Sequence, residues 1–468
     1  MCKVLCKPSQ ACSYGSGAAA TPVIFVEGGR HRTPDSFAGQ SSAVRRRNNK
    51  VLSPAPLAGP GVEDECYMYY FEIFSQRNNF TGKKGQFFAD EVKHLSGAHA
   101  SPFFLDSLRA LGALQAAKLL PSEDKSGNKH VYSSVVFYAK AVASLRESLE
   151  VNAYKMSEAT RTALLWTTLF LGMYELMNEA TVMGWVQHMV HGTGRGLEAA
   201  GPSICSTPAG AKFYLQARVF EVCRTILFNA PTFLTRPEWV RASRKIWKSE
   251  SFKAEWRPLD SLLDIMVSCS AMRVRAAAFI REQDEEPTTE VPDEGRHVAA
   301  AGWALREALA IWHKAYLSPE AGDEGEKRLE DDDDSMLLAR LFYAAISIYL
   351  SGNFDWDMMH WRRWPDVEVP RLDGATVQQR ADTILEITTY ALGRRSVSPL
   401  LFLFPLRIAG ARVAGSPAQC AAVLGLIGRI AGGFAVAHAV TYELVTTWEE
   451  LKVGLTGLSG KLRMGASR

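Results

Sequence analysis

The alternation of polar and apolar residues changes character at Ser157. Between Leu164 and Met177, the residues Leu164, Leu165, Trp166, Leu169, Phe170, Leu171, Met173, Tyr174, Leu176 and Met177 leave almost no polar face. A helix that is apolar all round is a buried one. Ser157 offers an N-cap hydroxyl to its first turn, and Asn178 closes it. A second helix is predicted behind a Thr181 cap, where Val182, Trp185, Val186, Met189, Val190 and Leu197 recur at three- and four-residue steps. Gly201 followed by Pro202 stops it. The two together predict a central helical hairpin.

The same period recurs on both sides. Helices are predicted near 104–119, 131–150, 211–230 and 259–283, around the stripe from Trp303 to Trp312, and over Met336–Leu350. Four more are predicted from about Thr376, Pro399, Pro417 and Ala439. Their connections hold Pro or Gly, such as Pro121 and Pro231. No period-two alternation bounded by turn dipeptides persists, so strands are not supported. Helix pairs joined by short loops imply antiparallel packing, tending towards a curled array. No fixed-period repeat marks a true solenoid. The expected fold class is all-α. A large helical array spans 63–456 as one domain or two tightly packed lobes. A disordered basic arm (1–62) precedes it, and a polar tail (457–468) follows.

Charge sharpens that division. The first sixty residues carry eight Lys and Arg against two acids, so a chain of net charge +3 has a leader of +6 and a body of −3. The leader is rich in Gly, Ser, Ala and Pro, as in GSGAAATP and LSPAPLAGPG, a composition that cannot bury enough apolar surface to order itself. Eight cysteines in 468 residues are too few for a disulfide scaffold. Cys66, Cys205, Cys223, Cys269 and Cys420 fall among helical stretches and read as small buried hydrophobes. The start, MCKVLCKPSQACSYG, has no apolar core of a secretory signal. Ala421–Val440 has the length to span a bilayer, but Arg429 and His438 interrupt it. The expectation is therefore a protein of a reducing compartment with no membrane partner.

Candidate chemistry is sparse. His188 and His191 lie three apart with Glu198 two turns on, without the i, i+4 spacing and intervening glutamate of a zincin. Asp355, Asp357 and His360 form an oxygen-rich candidate, and Trp356, Trp361 and Trp364 beside Arg362 and Arg363 either line a pocket through cation–π stacks or pin a loop to the core. Gly192, Gly194 and Gly196 fall inside a predicted helix, not between a strand and a helix. Asp331–Asp334 lacks interspersed large hydrophobes and reads as a solvated loop. No nucleophile elbow, phosphate-binding lysine loop or His-Glu-x-x-His occurs, and no enzyme is expected.

Several stretches, taken in order, resemble the fungal-specific transcription factor domain, the all-α regulatory region that follows a binuclear zinc-cluster DNA-binding domain. They are FLDSLRALGALQAAK (Phe104–Lys118), VFYAKAVASLRESL (Val136–Leu149), Tyr174-Glu175-Leu176 with Trp185 and GLEAAGP (Gly196–Pro202), and LFLFPLRIAG (Leu401–Gly410) followed by Trp448. The likeness covers roughly Asp64–Leu455 and is one of hydrophobic pattern.

Cys2, Cys6 and Cys12, with Tyr14-Gly15 behind them, resemble the second half of such a zinc cluster, with spacings off by a residue and the first half absent. Six thiolates holding two zinc ions fold a domain too small to bury a core; three do not close even one tetrahedral site, and His31 is a remote fourth ligand. Either the half-cluster is a remnant and the chain has lost its DNA reader, or the N-terminus is truncated. Arg45, Arg46, Arg47 and Lys50 suit a phosphate-contacting linker or a nuclear import patch.

The resemblance implies a nuclear regulator of RNA polymerase II transcription, serving a metabolic or biosynthetic gene set. Its implied partners are DNA where the cluster is complete, the transcription machinery or a co-regulator, and a second copy in a homodimer, with zinc as cofactor. Two alternatives stay open: a co-regulator without DNA binding of its own, and an all-α enzyme.

Overall fold

The computed structural model describes residues 60–82, 92, 95–97, 101–120, 126–152, 156–179, 193–318, 329–355 and 358–465. The longer helices are α1 (Pro60–Arg77), α2 (Pro102–Leu119), α3 (Ser126–Asn152), α4 (Glu158–Asn178), α5 (Pro208–Phe228), α6 (Pro237–Lys248) and α7 (Pro258–Glu285). They continue as α8 (Asp293–Tyr316), α9 (Asp334–Asp355), α10 (Gly374–Ala391), α11 (Leu403–Gly410), α12 (Pro417–Ala431) and α13 (Ala437–Gly465). Among the described residues there is no strand; a single bridge joins Asn79 to Val397. The fold is all-α.

Sequence chemistry sets the helix starts. Ser157 Oγ accepts from the Thr160 amide at 3.1 Å, opening α4, and Thr207 does the same for Gly210 at 3.2 Å, opening α5. Proline, whose missing N–H costs nothing in a first turn, begins α2, α5, α6, α7 and α12. Asn229, at φ 47°, closes α5 in the left-handed region that asparagine tolerates. Gly201, at φ 72°, closes the short helix Arg195–Ala200 where the sequence placed its stop.

Packing runs outward from α4. Leu165, Trp166, Leu169, Phe170, Leu171, Met173, Tyr174, Leu176 and Met177 are all buried in one continuous core that also takes in side chains from α1 through to α13. On one side α2 packs between α1, α3 and α4; on the other, α5 leads to α7, and α7 to α8 and α9. Helices α10 to α13 close the array around α9 and α11. Gly112 permits the tightest crossing: a Cβ there would lie 1.9 Å from the Tyr67 carbonyl oxygen of α1.

One expectation changes. Asp331–Asp334 is solvated only in part: Asp331 and Asp333 are exposed ahead of α9, but the tract is tied down. The Asp332 side chain is buried against Arg340, Asp333 accepts from the Met336 amide at 2.8 Å, and Asp334 accepts from Ser396 at 2.6 Å. The tract caps α9 and ties its start to the turn after α10. Ala421–Val440, set aside as a membrane span, is divided between α12, which ends at Ala431, and α13, which begins at Ala437, matching the helices expected from about Pro417 and Ala439. Among the described residues one helix is long and apolar enough to cross a membrane by length and composition, Asp334–Phe354, and 83% of its apolar window is buried inside the protein.

Candidate functional site

Cys2, Cys6 and Cys12, together with Arg45, Arg46, Arg47 and Lys50, lie outside the described residues, as do Trp185, His188, His191, Trp356 and Asp357. The second helix of the predicted hairpin is described only over Arg195–Ala200. Glu198 there accepts from Arg236 at 2.6 Å. His360 faces Asp284 of α7 at 2.7 Å. Trp361 and Trp364 are buried against Phe279, and Trp361 also against Phe354; they pin their loop to the core, as the second of the two readings has it.

The most organised polar cluster is one that sequence reasoning did not find. Helix α5 carries Arg218 under α6 and α7, where it is 1% exposed. Its guanidinium donates to Asp264 at 3.0 Å, to Asp260 at 3.1 Å and to Ser243 at 3.4 Å. The rings of Tyr214 and Trp247 each lie 6.0 Å away. Asp260 also accepts from the Arg257 amide at 2.9 Å, capping α7. Nearly two turns along α5, Arg224 donates to Glu221 at 2.8 and 2.7 Å and to the Pro231 carbonyl at 2.9 Å. Thr232 donates to the same Glu221 carboxylate at 2.7 Å. The planar guanidinium fork suits such multi-point pairing. These charges are spent on neighbouring elements, so both networks act as internal clamps. The one sequence signal was the placing of Asp260 and Asp264 on one helical face.

The interior void is small and apolar. Leu176, Phe220, Cys223, Leu400, Phe404 and Val436 are among the walls of a space of about 20 Å³, roughly one water's worth and without the polar partners a water needs. Along the outer face of α3, Val135, Tyr138, Val142 and Arg146 line an open groove of about 600 Å³. Cys223 and Cys269 are buried, and Cys205 is half-buried. Burial pushes Cys205 and Cys269 up to about 12 and Cys223 higher still, so the reactive thiolate is scarcely populated at neutral pH. Among the described residues no group of three or more His, Cys, Asp or Glu side chains is placed to hold a metal ion.

Comparison of the chain with protein-family models, with curated proteins and with solved structures finds no match.

Proposed function

We propose that this chain regulates RNA polymerase II transcription in a fungal nucleus, with the helical body as its regulatory module and the basic arm as its tether to chromatin. The observation carrying the reading is how the segments that resemble the transcription factor domain sit in space. The Ala-Leu-Gly-Ala-Leu stretch is the buried face of α2, and its Gly112 receives α1. Tyr138 of the second stretch stacks on Tyr174 of the third at 4.6 Å. In the last, Trp448 Nε1 donates to the Gly410 carbonyl at 2.9 Å. Segments picked out by pattern alone therefore pack on one another inside one all-α core.

In this reading the body binds proteins or an effector, and the arm supplies charge. Cys2, Cys6 and Cys12 take zinc only with ligands beyond those three. The test combines three measurements on the full chain: metal content per protein, chromatin occupancy by crosslinking, and transcript changes on deletion. Altered transcripts with occupancy support the reading. Altered transcripts without zinc or any DNA binding assign the chain to the co-regulators. Turnover of a small molecule abolished by one polar substitution makes it an enzyme and ends the proposal.

A further inference from the structure

Helix α6 has two faces of opposite character. Trp239, Ser243 and Ile246 are buried, and Trp239 stacks on Tyr214 at 5.8 Å and meets Phe233 at 4.8 Å. Arg241, Arg244, Lys245 and Lys248 are all exposed. At 3.6 residues per turn they fall within about 100° of arc, on the side away from the core. The stretch Arg236–Arg257 holds seven Lys and Arg against three Glu, a surplus of four on a body whose net charge is −3.

Part of this charge is met locally, Arg244 by the nearby Asp264 carboxylate. Arg236 pairs with Glu198, and Lys253 lies 3.7 Å from Glu250. Arg241 donates to the Pro237 carbonyl of its own helix. Lys245 and Lys248 form no ion pair among the described residues. Like-charged side chains so placed on one helix repel one another, and a row held rigid by the buried Trp239 face cannot disperse.

We infer that the exposed face of α6 is a second phosphate-contacting surface, one that lies along the backbone of duplex DNA. Charge spacing chooses the partner. From Arg241 to Lys248 the helix advances about 10 Å and carries four cations, a linear charge density close to the one phosphate per about 3.4 Å of axis that each strand of a duplex presents. A membrane is disfavoured, because interfacial helices insert large apolar residues and none of the exposed large hydrophobic side chains lies between Arg236 and Arg257. Single strands are disfavoured as well. Their platforms stack bases on exposed aromatic rings, and Trp239 is turned inward. The contact carries no sequence information; it adds affinity and fixes orientation.

This inference rests on the regulatory reading only for why the chain meets DNA. Its test uses the purified full chain, a 30-base-pair duplex of arbitrary sequence and fluorescence anisotropy at several salt concentrations. Each lost phosphate contact should flatten the log–log salt slope by about 0.9. R241Q/K245Q/K248Q is therefore expected to flatten it by about 2 to 3 and to weaken binding at low salt at least tenfold, with an unchanged thermal melt. R45Q/R46Q/R47Q/K50Q reports the arm separately, and the two effects should add. A salt slope that the α6 variant leaves unchanged overturns the inference. So does a variant that loses binding to phosphatidylserine vesicles or to polyglutamate while keeping the duplex. A chain that regulates transcripts yet shows no α6 contribution refutes the surface and spares the regulatory reading. A chain with the α6 slope and no effect on transcripts does the reverse.

Discussion

Removing Arg218 would strand Asp260, whose carboxylate is buried beside it. Breaking a buried pair by deleting one partner costs about 3–5 kcal/mol. Arg218→Met is expected to lose that much in urea unfolding, and R218M/D260N to recover part, because no unpaired charge is left behind. A single variant as stable as the parent would mean that Asp260 is not left uncompensated, its bond from the Arg257 amide sufficing. His313 sets a pH dependence. It packs against Tyr343 at 4.8 Å, and burial, then Arg380 and Arg340, hold its pKa below the usual histidine range. The unfolded chain, with a histidine pKa of about 6.5, then binds more protons than the folded one, so stability is full above that value. It should fall as pH drops through 6.5 towards the folded pKa. His313→Gln should flatten that fall between pH 7 and 5, measured as urea midpoints; an unaltered profile would place the titration elsewhere.

Among the helices, α4 sets the strictest demand. Leu169→Asp removes a side chain whose burial contributes about 1.5–3 kcal/mol and leaves a charge among apolar neighbours at a cost of several more. The cooperative melt followed by circular dichroism should disappear. At the α1–α2 crossing, Gly112→Ala would push a methyl group into the Tyr67 carbonyl. Backbone cannot yield as a side chain does, so a loss at or above the usual 1–3 kcal/mol of overpacking is expected, seen as a lower melting temperature. Leu169 was legible because apolar period and capping residues are local signals: Ser157, Asn178, Gly201 and the helix-opening prolines mark ends where the structure has them. The approach at Gly112 was not, because Tyr67 lies on another helix. Long-range pairing was not legible. Arginine is normally exposed, and nothing near Arg218 in the sequence announces Asp260 and Asp264, 42 and 46 residues on. Asp332 looked solvated because Arg340 lies two turns away on a helix that only folding brings round. Helix α6 was missed outright, although its charged and aromatic positions alternate with a helical period, because it is short and mostly polar. The thiol and arginine candidates near the N-terminus remain sequence readings, outside the described residues.

At the scale of the whole molecule, the segment after α1 joins the first helix to the turn after α10. Asn79 donates its amide to the Ser396 carbonyl at 3.0 Å and accepts from the Ser398 amide at 2.9 Å. Ser398 Oγ donates to Asn78 Oδ1 at 2.8 Å in a buried bond between residues 320 positions apart. Asn79 Oδ1 accepts from the Thr81 and Gly82 amides, both at 3.0 Å, folding the chain into a tight turn. Gly82, at φ 66°, then passes so close to Ser335 that a Cβ would lie 2.5 Å from its backbone nitrogen. The ends of α1, α9 and α10 therefore meet at one knot, and the core beneath it is continuous. Two halves sharing a core have no separate interiors to melt independently, so calorimetry of the full chain should give one transition. Asn78→Ala leaves a buried hydroxyl without its partner, at a cost of about 1–3 kcal/mol. That cost should lower the whole transition without splitting off an early one. Two peaks, with only the first moved by the substitution, would show that the N-terminal and C-terminal helices form separate cooperative units, joined at the knot but not through the core.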